Sequence, residues 1–189
     1  VRITTHESRI TLFPISVMSA DNTVLVTGAD GFVGGALCET LAASARRVRR
    51  AVRVARPGLA DTVATGDIGP DTDWRSALEG VSSVVHLAAR THVLRETASD
   101  ALAEYRRINV EGTRKLAQMA ARAGVRQLVF MSSIKVNGEA TEQPFTERDV
   151  PRPEDAYGRS KWETEQALAR VAADTGLEVA VLRPPLVYG

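Results

Sequence analysis

The feature that most constrains this chain is a glycine turn set between a strand and a helix. Thr23–Thr27 (TVLVT) is a short β-branched run of the kind that buries as a strand, and an apolar helical stretch follows from Gly31 to Ala45. Between them stands Gly28-Ala29-Asp30-Gly31-Phe32-Val33-Gly34. Gly28 permits the tight turn, Gly31 lets backbone approach a ligand, and Gly34 lets the helix pack close to the strand. The unpaired N–H groups and positive dipole end at such a helix start suit a pyrophosphate. A glycine triplet alone is weak evidence, and the strand before it and helix after it supply the context that a dinucleotide site needs.

The rest of the chain repeats this alternation. Strands are expected at 47–53, 62–65, 83–87, 127–132 and 178–183. Helices are expected at 73–79, 98–123 and 154–175, with Asp73 as an N-cap and Gly124 and Gly176 closing the two long ones. Pro184-Pro185 stops the last strand. Strands alternating with helices at this spacing imply right-handed βαβ units, hence an α/β Rossmann-type doubly wound parallel sheet of about six strands. The one long loop, 139–153, links the fifth strand to the next helix, where a site loop is expected.

Composition bounds the partners. The 189 residues carry a net charge of +1, so nothing points to nucleic acid, and the basic cluster Arg46, Arg47, Arg49 and Arg50 has no aromatic platform beside it. No apolar run is long enough to span a bilayer. The single cysteine, Cys38, sits in an apolar helical stretch and reads as a small buried hydrophobe, with no cluster of metal ligands around it. A reducing, cytoplasmic setting fits. Residues 1–21 read as an N-terminal extension, with Met18 as the natural start, and residues 22–189 as the nucleotide-binding domain.

Two further constellations carry chemistry. Tyr157 and Lys161 are four apart, which on a helix puts them on one face. A tyrosine is a poor base at neutral pH, with a pKa of about 10. A neighbouring ammonium is expected to stabilise its phenolate, and the lysine can also hold a nicotinamide ribose. Ser133, at the C-terminal end of the fifth strand, is placed to bond the reacting oxygen, with Ser132 as the alternative. Arg53 ends the second strand where an NAD-selective site usually has an acid, and an arginine there suits the 2′-phosphate of NADP.

Taken in order, TGADGFVG, GDI at 66–68, VVHLAA at 84–89, NVEGT at 109–113, MSSIKVNG at 131–138, YGRSK at 157–161 and LRPPLVYG at 182–189 resemble the extended short-chain dehydrogenases, the NAD-dependent epimerase/dehydratase group. The resemblance implies NADP or NAD as cofactor. It implies cofactor contacts from Gly28, Gly31, Phe32, Val33 and Gly34, and from Asp67 and Ile68 beside the adenine. Leu87, Ala88 and Ala89 would line the cofactor, Pro184 would lie near the nicotinamide, and Asn109 would support the active-site helix. Ser133, Tyr157 and Lys161 match the catalytic trio. His86 matches a frequent family residue, although a packed strand histidine is the simpler account.

The 4,6-dehydratase branch has Thr-Asp-Glu where this chain has Ser133-Ile134-Lys135, which argues against water elimination. A 4-epimerase or 4-keto-reductase of a UDP- or dTDP-linked sugar remains, of the kind used in bacterial surface polysaccharide synthesis. Family members continue beyond LRPPLVYG into a smaller substrate domain, so the resemblance implies a chain truncated before that domain. The sixth strand is then expected to leave an exposed sheet edge. The family often dimerises through the helices that include the Tyr-Lys one, which makes a homodimer an expected partner. The alternative reading is a non-catalytic dinucleotide-binding remnant.

Overall fold

The computed structural model describes residues 2–4, 23–55, 58, 61–91 and 100–188. Met18, most of the N-terminal extension and the expected start of the long helix at Ala98 lie outside the described residues.

The strands are β1 (Arg2–Thr4), β2 (Thr23–Thr27), β3 (Val48–Val52), β4 (Thr62–Ala64), β5 (Val81–His86), β6 (Gln127–Met131) and β7 (Glu178–Leu182). They form one sheet in the order β1-β7-β6-β5-β2-β3-β4, with every pairing parallel. The helices are α1 (Phe32–Ala43), α2 (Arg75–Leu78), α3 (Ala101–Tyr105), α4 (Thr113–Arg122) and α5 (Ala156–Thr175).

Alternation along the strands explains the two-sided burial. Val24, Val26, Val48 and Val52 face one way and pack with Cys38 of α1. Leu25, Ala51 and Val84 face the other way and pack with Leu78 of α2, Leu116 of α4 and Leu168 of α5. Both faces are thus covered, as a parallel sheet requires. Cys38 is 2% exposed, as its apolar setting predicts.

The doubly wound parallel sheet is therefore as expected, and three details differ. First, β1 pairs in parallel with β7, Ile3 opposite Val181, so the β7 edge is not bare. Three residues within a polar-apolar mixture carry no strand signal, and the neighbouring ladder supplies what local sequence lacks.

Second, the expected single helix over 98–123 is interrupted. Between α3 and α4 the chain winds as a π-helical segment, Arg106–Gly112. Such segments are rare and recur at functional sites. Here the segment carries Asn109 inward, 2% exposed. Third, α2 is shorter than 73–79, and Asp73 caps the N–H of Arg75 at 3.0 Å from one residue outside its N-cap.

The strand order reverses at β2, which pairs with β3 on one side and β5 on the other. Ligands of open α/β sheets bind outside the carboxyl ends of strands at such a switch point. The glycine turn after β2 and the Leu87–Ala89 turn after β5 both leave the sheet there.

Candidate active site

The glycine turn is built to a tolerance that excludes side chains. A Cβ at Gly34 would lie 2.1 Å from the Gly28 carbonyl oxygen, and one at Gly28 would lie 2.9 Å from the Ala88 nitrogen. Gly28 also has φ of +65°, which glycine adopts without strain. Gly31 and Phe32 are exposed, Val33 is half-buried, and the helix start of α1 opens outward. A cradle that added methyl groups would fill fits a pyrophosphate, and the residues present therefore suit a dinucleotide.

On the far side of β2, Arg53 Nε lies 3.2 Å from Asp67 Oδ1 in an exposed pair. A cleft of about 320 Å³ lined by Thr65, Gly66, Asp67, Gly69 and Arg107 adjoins it. Ile68 backs this end, because a Cβ at Gly112 of the π-helical segment would come within 2.7 Å of its Cγ2. A larger hollow of about 670 Å³ lies among Leu78, Gly80, Met119 and Ala123, and it holds none of the expected site residues.

Asn109 is a buried clamp. Its Oδ1 accepts from the Arg90 N–H at 2.8 Å, and its Nδ2 donates to the Arg90 carbonyl at 3.1 Å and to Ser160 Oγ at 2.9 Å. It thereby ties the turn after β5 to α5. Both hydrogens of its amide nitrogen are thus taken by protein groups.

Helix α5 begins at Asp155, whose Oδ1 accepts from the Gly158 N–H at 2.6 Å. The other oxygen of Asp155 accepts from Lys135 Nζ at 2.7 Å, and Lys135 also reaches Glu139 at 2.9 Å. In the first turn of α5, Tyr157 is half-buried, and the Ser133 side chain acts on its phenol to pull the pKa down. Its ring meets Tyr105 edge-on, with centroids 6.1 Å apart. Ser132 points elsewhere, donating to buried Glu165. Of the two serines, Ser133 is the one in contact with Tyr157. Pro184, half-buried beyond β7, accepts from the Ile134 N–H at 3.0 Å.

Lys161 is 3% exposed, with Nζ donating to the Met131 carbonyl at 2.8 Å and lying 4.7 Å from the Phe130 ring centroid. Its Nζ is 5.7 Å from the centre of the Tyr157 ring. Burial pushes the Lys161 amine down to about 7, against an opposing pull from Glu165.

The expected lowering of the Tyr157 pKa is not met in this structure. Burial and the Asp155 carboxylate push the phenol up, against Ser133 and Lys135. The physical reason is that burial favours the neutral form of Lys161, and its nitrogen is turned toward Met131.

Because the folded value for Lys161 lies below its ordinary 10.5, the unfolded chain binds the extra proton between about 7 and 10.5. The stability of the cofactor-free chain is accordingly expected to rise with pH through that window. The slope is at most about 1.4 kcal/mol per pH unit for one group. Urea midpoints should show that rise in the wild-type chain and a flatter line in Lys161→Met.

A second buried network went unread in the sequence. Glu165, one turn beyond Lys161, accepts from Arg183 at 2.9 and 2.6 Å, and Arg183 also donates to Asn137 at 3.1 Å. The only sequence signal for it is the spacing of Glu165 four residues after Lys161.

Among the described residues no group of His, Cys, Asp and Glu is arranged to hold a metal, and no helix is long and apolar enough to cross a membrane. The fold and site define a dinucleotide-binding type of α/β protein, with Ser133 and Lys161 at the β6 end and Tyr157 on the same helix as Lys161. The chain belongs to the NAD dependent epimerase/dehydratase family, whose model matches residues 24–189.

It is 43% identical over 172 residues to a UDP-glucose 4-epimerase of Vibrio cholerae, covering 88% of this chain and 52% of that protein. It is 30% identical over 171 residues to the N-acetyl-alpha-D-glucosaminyl-diphospho-ditrans,octacis-undecaprenol 4-epimerase of Escherichia coli O157:H7, covering 89% and 50%. Among solved structures it resembles MoeE5 in complex with UDP-glucose and NAD, at 35% identity and a TM-score of 0.75, covering 86% of this chain and 54% of that one. The chain thus spans about half the length of the relatives it matches.

Proposed function

We propose that this chain is the dinucleotide-binding, catalytic part of an NAD(P)-dependent enzyme that oxidises and reduces the C4 position of a UDP- or dTDP-linked sugar. The observation that carries the reading is the pairing of Tyr157 and Lys161 on one helix, with Lys161 Nζ 5.7 Å from the centre of the Tyr157 ring. A dinucleotide bound on the glycine turn supplies the hydride acceptor and donor. Tyr157 takes the proton of the sugar 4-hydroxyl as that carbon is oxidised to a ketone, and returns it on reduction. Ser133 bonds the same oxygen and holds Tyr157 in line. Lys161 supplies positive charge beneath the ring when protonated.

Ile134 and Lys135 stand where a dehydratase has its two acids, and Lys135 is a cation paired with Asp155 and Glu139. This favours an epimerase or 4-keto-reductase. Likeness to an epimerase of an undecaprenol-linked sugar supports a role in bacterial surface polysaccharide synthesis.

Arg53 favours NADP over NAD, because a guanidinium suits a 2′-phosphate, although MoeE5 carries NAD. Swinging from Asp67 to a phosphate costs Arg53 only an exposed ion pair, worth about 0–1 kcal/mol. Titration should give tighter binding of NADPH than NADH, and an Arg53→Ala variant should lose the difference. Equal or reversed affinities refute the preference.

The second reading, a dinucleotide-binding remnant without catalysis, is favoured by the burial that holds the Tyr157 phenol above its ordinary pKa. Incubation of the 189-residue chain with NAD(P) and UDP- or dTDP-sugars separates the two. Conversion of a sugar supports the enzyme, and cofactor binding without conversion of any of them supports the remnant.

A further inference from the structure

The ladder between β2 and β5 ends at the pair Thr27–His86, and the chain then turns away at Gly28. Two N–H groups beyond the end of β5, those of Leu87 and Ala88, still find an acceptor. Both donate at 3.2 Å to the Thr27 hydroxyl oxygen. A hydroxyl has two lone pairs and one hydrogen. With both lone pairs taken, Thr27 has only its hydrogen left for His86 Nδ1, 2.7 Å away. Nδ1 is therefore the acceptor and carries no proton. The proton of a neutral imidazole then sits on Nε2, which donates to Thr113 Oγ1 at 2.8 Å.

The ring has no freedom to do otherwise. It is 1% exposed and stacks on Phe130 with centroids 6.0 Å apart. Burial and the charge of Lys161 push its pKa down to about 3, which keeps it neutral at working pH. The chain of donors runs Thr27 to His86 to Thr113 and spans three elements. Thr27 immediately precedes the glycine turn, His86 immediately precedes the Leu87–Ala89 turn, and Thr113 opens α4 directly after the segment that carries Asn109. The two turns touch, since a Cβ on Gly28 would sit 2.9 Å from the Ala88 nitrogen.

We propose that His86 is a positioning residue, held as the single Nε2–H tautomer, that fixes the glycine turn against the Leu87–Ala89 turn and so sets the shape of the dinucleotide cradle. A histidine that merely filled space would serve equally well in either tautomer. The cradle half of the proposal rests on the cofactor reading above, and the tautomer half does not.

Nitrogen-15 NMR of imidazole-labelled chain, without cofactor, tests the tautomer. The expected result is an Nε2–H ring whose signals stay put between about pH 5 and 9. An Nδ1–H ring, or one that titrates in that range, overturns the proposal without any variant having to fold.

Dinucleotide titration tests the cradle. His86→Leu should weaken binding about tenfold, the scale of one lost buried hydrogen bond. His86→Asn, whose Oδ1 can still accept from Thr27, should recover most of that loss. Thr27→Val should match His86→Leu, and the double variant should add little. A folded His86→Leu with unchanged affinity, or an Asn variant no better than Leu, refutes the positioning role. A wild-type chain that binds no dinucleotide refutes the cofactor reading and the cradle half together, and leaves the tautomer result standing.

Discussion

Replacing Tyr157 by Phe is expected to lower sugar turnover by about 10²–10⁴-fold, the usual weight of a positioned acid-base group. Dinucleotide affinity should barely change, because on the proposed mechanism the lost hydroxyl serves the sugar oxygen and not the cofactor. Ser133→Ala should cost less, about three- to tenfold, for loss of one hydrogen bond.

The pH dependence separates the two roles. On the proposed mechanism Tyr157 is the base in the oxidising direction, and burial with the Asp155 carboxylate raises its pKa. Rate should therefore climb with pH through neutrality. The Ser133 hydrogen bond pulls that pKa down, so its loss should move the rising limb to higher pH. Pre-steady-state reduction of bound cofactor by UDP-glucose, followed across pH, reads both effects. A Tyr157→Phe chain that still reduces cofactor at the wild-type rate removes Tyr157 from the chemistry.

What the sequence made legible follows from how each element is stabilised. The strands β2, β5, β6 and β7 announce themselves because a parallel strand covered on both faces is apolar almost throughout. The glycine turn is legible because only glycine meets a carbonyl at 2.1 Å from where its Cβ would be. Tyr157 and Lys161 share a helix face by spacing alone.

The rest depends on contacts that no local pattern encodes. The π-helical winding of Arg106–Gly112 lies inside a run whose residues suit an ordinary helix, and what places Asn109 is its bonds to Arg90 and Ser160, 19 and 51 residues away. The strand Arg2–Thr4 owes its form to the β7 edge. The sign of the Tyr157 shift could not be read from Lys161 four residues on, because it turns on burial. Glu165 and Arg183 were missed for a related reason: charged side chains default to the surface unless they find each other.

That buried pair carries the largest expected stability effect. Glu165 and Arg183 are each 4% exposed, and Glu165 meets Arg183 through both oxygens while also accepting from Ser132. Arg183 adds Asn137 and lies 5.7 Å from the centre of a Trp162 ring. Removing one partner strands a charge where water cannot reach it, at a cost of about 3–5 kcal/mol. Glu165→Ala or Arg183→Ala should therefore lower the melting temperature by roughly 6–20 °C, taking about 2–4 °C per kcal/mol for a domain of this size.

The double variant Glu165→Leu with Arg183→Met removes both charges and should lose less than either single change, because nothing charged is left unpaired. It should not be neutral, since Ser132 and Asn137 each lose a partner. The double variant should also reach Lys161. Glu165 holds the lysine's pKa up against burial, so its loss should push that pKa further below about 7. The pH-dependent gain in stability should then begin at lower pH. A double variant as damaged as either single, or a Lys161 slope that keeps its place, would show that the pair contributes packing rather than charge to this end of α5.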